Sequence, residues 1–295
     1  MYGVLYIIAA YTAWGFLPLY WKSLQRVPPP EILGHRILWS FVFLALLLTF
    51  QKRWGEFRRV FSIRRNLQTF LVSALIIGSN WLIYIWAINS GHIVDASLGY
   101  FINPLVSVLL GVLILKERMG RWQVVSVILA AVGVIILAFN LGAPPWISLS
   151  LALTFGFYGL IRKTARVESL AGLSAETFIL LPAVVTYLLI LCIRKTGAIG
   201  TAPPGIHLLL IGAGVVTAAP LLFFNSGVRK IPLSTVGFLQ YLSPTFQLIL
   251  GVFVYHEPFT SVHKISFGFI WMALAVFTIS TARERRQSKL RVKKV

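Results

Sequence analysis

The chain has 295 residues, of which 58% are hydrophobic and 12% are charged, and its formal net charge is +19. An ordinary soluble domain carries roughly twice that charged fraction, so the composition excludes a water-soluble globular protein. A net charge of this size would suggest nucleic acid as the partner of a soluble protein, but here the basic residues stand between long apolar runs. We therefore expect a lipid bilayer, and no nucleic acid, as the macromolecular surroundings.

Ten apolar runs follow one another along the chain, each close to the roughly 20 residues that a helix needs to cross a bilayer. Strands of a membrane β-barrel would alternate strictly over about ten residues, and these runs are longer and continuously apolar. The sequence therefore predicts an all-α integral membrane protein with ten transmembrane helices. The runs cover approximately residues 2–21, 31–50, 68–89, 94–115, 122–139, 145–161, 175–193, 206–228, 233–254 and 263–281.

The Lys and Arg residues between the runs are distributed unevenly over the two sides of the membrane. With the N-terminus inside, the cytoplasmic loops and the tail hold 21 of them, and the opposite loops hold five. Because basic loops stay on the cytoplasmic side, both termini are predicted to be cytoplasmic. Residues 283–295 form a basic cytoplasmic tail, which suits a surface of anionic lipid.

An internal repeat relates the two halves of the chain, because a shift of 140 residues superimposes similar residues and keeps the apolar runs in phase. Each half, residues 1–140 and 141–282, has five predicted helices. Since five is odd, the second half enters the membrane from the opposite side, as in many secondary transporters. The superimposed pairs include Pro104 and Pro244, Gly111 and Gly251, Glu117 and Glu257, and Ser126 and Ser266.

One face of the fourth run is polar or small, and the repeat places a matching face on the ninth run. Polar groups facing hydrocarbon cost several kcal/mol each, so both stripes should face the interior of the bundle. They either line a substrate cavity or let helices pack closely, and we expect a cavity. The stripes are Ser97, Tyr100, Asn103, Ser107 and Gly111, and then Gly237, Gln240, Ser243, Gln247 and Gly251.

Aromatic and amide residues on neighbouring runs suit a mostly apolar pocket with a few oriented polar groups. The predicted substrate-cavity residues are Trp14, Asn80, Trp81, Tyr84, Tyr100, Asn103, Ser107, Gln240, Tyr241, Ser243 and Gln247. Prolines inside the runs remove backbone hydrogen bonds and free carbonyl groups. The predicted helix breaks are Pro18, Pro104, Pro220 and Pro244.

Ionisable residues inside the runs are candidates for a charge pair or for proton coupling. Arg36 needs a partner because a charge at that depth is costly, and Asp95 is predicted to lie on the same side of the membrane. Glu31 and His35, four residues apart on one helix face, either share a proton or, in the case of Glu31, complement the helix dipole. Glu176 is expected to cap the start of the seventh helix.

The chain has no phosphate loop, HExxH motif, glycine-rich dinucleotide fingerprint or GxSxG motif. We therefore predict that the protein is not an enzyme and has no catalytic residues, no metal and no cofactor. Its single cysteine, Cys192, excludes an intramolecular disulfide.

Four segments carry a resemblance to a known family: EILGHRILWS at 31–40, GSNWLIYIWAIN at 78–89, ASLGYFINPL at 96–105 and FLQYLSPT at 238–245. Over nearly its whole length the chain resembles a RarD-type member of the EamA family in the drug/metabolite transporter superfamily. The resemblance implies a permease of the bacterial cytoplasmic (inner) membrane, with ten helices and a cavity lined by helices one to four and six to nine.

The resemblance favours export over import, so the expected function is export of a small metabolite or drug-like molecule, with alternating access as the mechanism that inverted repeats suit. Two alternatives stay open at this point: a metabolite uptake carrier, and a non-transporting receptor or assembly protein in which the polar stripes are packing surfaces. The sequence also leaves open whether the chain forms a homodimer.

Overall fold

A computed structural model describes residues 2–89, 93–139, 146–198, 201–255 and 260–292, without the side chains at 85, 88, 89, 93–97 and 284–292. These residues form helices and connecting loops and contain no strand. The helices are α1 (Tyr2–Lys22), α2 (Pro29–Phe50), α3 (Trp54–Ser62), α4 (Arg64–Asn89), α5 (Ile93–Leu113), α6 (Arg121–Phe139), α7 (Trp146–Thr164), α8 (Ser169–Arg194), α9 (Pro204–Val228), α10 (Leu233–Gln240), α11 (Leu242–Phe253) and α12 (Ser261–Val292).

Eight helical segments of the described residues are long and apolar enough to cross a membrane. They comprise most or all of α1, α2, α4, α6, α8, α9 and α12, and the segment Leu233–Phe253 formed by α10 and α11. The prediction of an all-α integral membrane protein is confirmed to this extent. In α5 the stretch Leu98–Leu113 is apolar but shorter, and α7 covers the sixth apolar run.

The helices pack so that the beginning of α1 meets the end of α9. A Cβ atom at Gly227 would lie 2.9 Å from the carbonyl oxygen of Gly3. We call this side of the bundle the Arg162 end, because α7 finishes there, and the opposite side, where α1 finishes, the Lys22 end. α6 and α12 pack against each other and supply no residue to the cavity described below.

α3 is a short helix at the Arg162 end that lies between two spans. Its Phe57 and Val60 are buried, and it packs against α8. Arg53 precedes it and donates two hydrogen bonds to Glu56, at 2.8 and 2.6 Å. These hydrogen bonds lower the pKa of the Glu56 carboxyl from its ordinary value.

Of the four predicted helix breaks, the structure has one, close to Pro244. α1, α5 and α9 are continuous through Pro18, Pro104 and Pro220. A proline inside a membrane helix removes one hydrogen bond, but the packed neighbours hold the helix together. The ninth run is interrupted at Tyr241, between α10 and α11 and three residues before Pro244.

Glycine allows a close crossing where α2 passes α9. A Cβ atom at Gly214 would lie 2.3 Å from the backbone carbon of Trp39 and 2.6 Å from the nitrogen of Ser40. The Ser40 hydroxyl uses this proximity and donates to the Gly214 carbonyl oxygen at 3.0 Å. Two backbones thus touch at a point where no larger residue fits.

We expect Gly214→Ala to destabilise the protein by about 1–3 kcal/mol, the usual cost of overpacking a well-packed interior. The measurement is the thermal unfolding midpoint in detergent. Gly268→Ala is the matched control, because Gly268 also lies inside a helix but its Cβ would have no described atom within 4 Å. An equal effect of the two substitutions would contradict the close crossing.

Candidate substrate cavity

A cavity of about 150 Å³ lies among eight of the helices, between the middle of the bundle and the Lys22 end. Its walls come from α1, α2, α4, α5, α7, α9, α10 and α11, so both halves of the chain contribute. No lining residue comes from α8, although the resemblance implied the seventh helix as part of the wall.

Eight of the eleven predicted cavity residues line this space together. They are Trp14, Asn80, Trp81, Tyr84, Tyr100, Gln240, Ser243 and Gln247. Their side chains supply indole rings, phenol rings, amides and one hydroxyl, so the walls are mostly apolar with a few polar groups. Tyr100 is 39% exposed, and it stands near the Lys22 end of the cavity.

The other three predicted residues, Asn103, Ser107 and Tyr241, are not among the lining residues. The Asn103 amide donates to the Ala152 carbonyl oxygen on α7 at 3.1 Å and accepts from the Ser107 hydroxyl at 3.3 Å. The Tyr241 hydroxyl donates to the Phe101 carbonyl oxygen at 3.3 Å. All three side chains are buried. Asn103 and Tyr241 connect helices, whereas Ser107 bonds within α5, so part of the first polar stripe faces a neighbouring helix rather than the cavity.

Several lining residues were not predicted as cavity residues. Trp21, Phe155 and Thr217 belong to this group, and an apolar pattern gives no signal that separates such residues from ordinary core residues. Arg36 also lines the cavity. Its position inside an apolar run made Arg36 a candidate for a charge pair or for proton coupling, not a predicted cavity residue.

Arg36 lies on α2 and meets groups from three other helices. Its Nε donates to the Thr217 hydroxyl on α9 at 3.0 Å. The guanidinium carbon lies 4.7 Å from the centre of the Trp21 ring and 5.4 Å from that of Trp81, within the range of a cation–π interaction. Among the described side chains no carboxylate pairs with Arg36. The predicted partner, Asp95, has its side chain outside them.

The polar groups of the wall link the two halves of the chain. The Tyr11 hydroxyl donates to Gln240 Oε1 at 3.3 Å, and Gln247 Nε2 donates to the Trp14 carbonyl oxygen at 3.3 Å. Asn80 Nδ2 donates to the Leu151 carbonyl oxygen at 3.0 Å and to the Thr154 hydroxyl at 2.8 Å. Two spans of the first half, α1 and α4, are thus connected to the second half.

Aromatic rings close the cavity toward the Arg162 end. The rings of Trp14, Phe155 and Phe224 lie 5.4 to 5.7 Å apart, centre to centre. Tyr158 stacks on Phe224 at 6.1 Å. No ionisable carboxylate or amine is part of this ring cluster.

A buried network of polar residues lies behind the rings. Glu176 accepts from the Ser73 hydroxyl at 2.5 Å, lies 3.2 Å from the Tyr158 hydroxyl and pairs with Arg162 at 3.5 Å. The Tyr158 hydroxyl also accepts from Asn225 Nδ2 at 3.0 Å. Both charged side chains are buried, with 0% exposure for Arg162 and 1% for Glu176.

The expectation that Glu176 caps a helix start is therefore corrected. α8 begins at Ser169 and its first turns are buried, so Glu176 lies well inside the helix with no free backbone N–H to accept from. Sequence reasoning started the helix too late because the segment SLAGLSA has few large apolar residues. It consequently missed the pair with Arg162.

Glu31 and His35 lie near the Lys22 end, away from the cavity lining. Glu31 Oε1 accepts from the Ala198 backbone N–H at 2.6 Å and stands 3.9 Å from His35 Nε2. Both residues are buried, and neither ring nitrogen of His35 has a hydrogen-bond partner among the described atoms. Glu31 thus fixes the loop after α8, and a proton shared with His35 stays a prediction.

Comparison with known proteins agrees with this architecture. The EamA-like transporter family model matches residues 1–139 and 145–280, and the chain belongs to this family. It is 47% identical to the transporter YojE of Bacillus subtilis over 97% of each chain. It is 43% identical to the protein RarD of Escherichia coli, again over 97% of each chain.

A crystal structure of another protein, 18% identical in sequence, superimposes with a TM-score of 0.71 and covers 94% of this chain and 97% of that one. That likeness concerns the fold. Taken together with the apolar spans, the family makes this chain a multi-pass membrane transporter rather than an enzyme.

We expect a cysteine at Gln247 to react with a small charged thiol reagent and a cysteine at Ser107 to resist it, both in a Cys192→Ser background. The two positions are equivalent under the 140-residue repeat, but Gln247 lines the cavity and Ser107 is buried beside Asn103. Removing Cys192 is necessary because its side chain is exposed. Mass spectrometry after labelling in detergent measures the difference, and faster labelling at 107 would contradict the cavity.

Proposed function

We propose that the protein is a ten-span permease that moves a small organic molecule across the membrane by alternating access, with export as its direction. The observation that carries this proposal is the cavity itself. It lies between the two halves of the chain, near the middle of the bundle, and is closed at the Arg162 end by rings and a buried ion pair. Such a site between repeats is typical of secondary transporters.

The ten spans would arise from the eight apolar segments together with α5 and α7. Helix pairing supports two inverted halves, because the most closely packed pairs have counterparts under the repeat. α1 packs on α9 as α7 packs on α4, and α2 packs on α9 as α8 packs on α4. α1 also packs on α10 and α11 as α7 packs on α5. Pairs of repeat mates, α2 with α8 and α6 with α12, pack on each other.

A single contact supports the same symmetry at the level of residues. The Tyr241 hydroxyl donates to the carbonyl oxygen of Phe101, 140 positions earlier. Repeat mates can touch only where they lie near the axis that relates the halves. The two separate matches to the family model, at residues 1–139 and 145–280, also fit halves at 1–140 and 141–282.

The protein is proposed to reside in the cytoplasmic membrane with both termini inside. The bias of 21 basic residues to five supports this orientation, and a reporter that is active only outside the cytoplasm should stay inactive when fused after residue 295. In this orientation the Arg162 end is cytoplasmic. The cavity therefore lies toward the outside, which is the state that an exporter adopts on release of its substrate.

We expect cells that overproduce the protein to accumulate at least one additional small molecule in the medium, measured by mass spectrometry of culture supernatants. Gln240→Ala should abolish this accumulation, because Gln240 lines the cavity and bonds to Tyr11 across it. Counterflow of the identified compound in proteoliposomes then separates a carrier from a non-transporting protein.

Gln123→Ala is a suitable control for this experiment, because Gln123 belongs to α6 and bonds to α12, away from the cavity. It should export as the unmodified protein does at equal membrane abundance. If a compound is depleted from the medium instead of accumulating there, the protein takes up its substrate rather than exporting it. Unchanged supernatants with an abundant, folded protein would count against transport.

We also expect Glu176→Gln to open the Arg162 end. It leaves Arg162 as an uncompensated buried charge, and breaking a buried pair in this way costs about 3–5 kcal/mol. The closed arrangement should therefore become less populated. A membrane-impermeant thiol reagent supplied on the cytoplasmic side, in inside-out vesicles, should label a cysteine at Gln247 faster in this variant.

The matched control is Glu168→Gln, which makes the same change of charge at the same end of the bundle. Glu168 is 62% exposed and lies 3.8 Å from Arg53, outside the buried network. Its substitution should leave the labelling rate unchanged. Equal labelling in both variants would show that the pair of Arg162 and Glu176 does not close this end.

A further inference from the structure

The described part of the cavity wall is positively charged. Among the described residues that line the cavity, Arg36 is the one whose side chain is charged near neutral pH. The others are aromatic, aliphatic, amide or hydroxyl side chains and two prolines. A cation inside an apolar span is costly to leave without compensation, so this wall favours an occupant that carries negative charge.

The contacts of Arg36 orient its guanidinium but leave most of its donors unused. The Nε–H donates to Thr217, and the two indole rings of Trp21 and Trp81 hold the planar group from the side of α1 and α4. Neither terminal nitrogen donates to a described residue. A guanidinium fixed in this way presents two parallel N–H groups, which match the two oxygens of a carboxylate.

The other lining residues indicate the chemistry of the rest of the ligand. Rings of Trp14, Tyr84 and Phe155 offer apolar surface, which suits a hydrocarbon or aromatic body. The described lining residues include no carboxylate that could pair with an ammonium group, so a zwitterion would place its positive charge without an opposite charge beside it. A dianionic phosphate would exceed the single positive charge of the wall.

We propose that Arg36 binds the carboxylate of a small monoanionic organic substrate whose apolar body lies among these aromatic rings. This inference rests on the proposed transport function, since it assigns the substrate class of the same cavity. It also gives Arg36 a role other than the charge pair with Asp95 that the sequence suggested.

The test uses the full chain, purified in detergent and folded, with matched pairs of a carboxylic acid and its neutral amide at neutral pH. Suitable pairs are benzoate and benzamide, 3-phenylpropionate and 3-phenylpropionamide, and hexanoate and hexanamide. Binding is measured by calorimetry. We expect at least one acid to bind ten- to hundredfold more tightly than its amide, since a hydrogen bond to a charged group is markedly stronger than a neutral one.

Substitution of the cation gives the second comparison. Arg36→Gln should bind the acid and the amide equally, and Arg36→Lys should keep a reduced preference, because lysine retains the charge without the planar pair of donors. Arg26→Gln is the matched control: it removes one positive charge near the same end, from an exposed loop residue, and should leave the preference intact.

Three results with the unmodified protein and Arg36→Gln would overturn the proposal. They are equal binding of acid and amide by the unmodified protein, absence of binding of every acid, and an acid preference that survives Arg36→Gln. A preference for the acid that appears in Asp95→Asn but not in the unmodified protein would also overturn the proposal. It would show that Asp95 neutralises Arg36 in the resting protein. The comparison within the unmodified protein does not depend on whether any variant folds.

Counterflow with the same pairs separates this inference from the proposed function. Tight binding of the acid without counterflow would refute transport and leave the assigned ligand class in place. Counterflow of the amides at the same rate as the acids would refute the ligand class and leave transport in place.

Discussion

The absence of water from the hydrocarbon core is the constraint on which the rest of this structure depends. A polar group there must find its partner inside the protein. Of the polar groups inside the spans, Asn103, Asn80 and Gln247 each reach a neighbouring helix. The same requirement that holds the helices together therefore uses hydrogen-bonding groups of these side chains and limits which polar atoms remain for a ligand.

Close packing of small residues makes these hydrogen bonds geometrically possible. α2 and α9 approach until the backbone at Gly214 touches that at Trp39, and α5 approaches α7 where Gly99 faces Ser148. In membranes the packing of small residues replaces much of the hydrophobic drive that folds soluble proteins. The bundle is thus narrow at the glycines and wider where aromatic residues line the cavity.

The two charged centres of the bundle differ in how they are balanced. Arg162 has its carboxylate partner in Glu176, and both are shielded from solvent. Arg36 has aromatic rings and a hydroxyl as its neighbours among the described residues. A paired charge suits a helix contact that stabilises one arrangement of the helices. A charge without a described counter-ion suits a surface that binds a ligand. In the function proposed above, this contrast distinguishes the end of the bundle that the ion pair closes from the site that binds the ligand.

The sequence by itself determined the class of the protein, the approximate spans and most of the cavity wall. Apolar length and the placement of charge depend on the bilayer alone, and the polar stripes follow helical periodicity, so all of these can be read from the chain. Eight of the eleven predicted cavity residues accordingly line one space.

Only the tertiary structure decided which polar residue of a stripe faces the cavity and which faces a neighbour. Asn103 turns to α7, Glu176 lies inside α8 beside Arg162, and the helices continue through three of the four prolines. These features depend on the angle and distance at which two helices cross. That geometry is set by side chains far apart in the chain, and helical periodicity within one span carries no information about it.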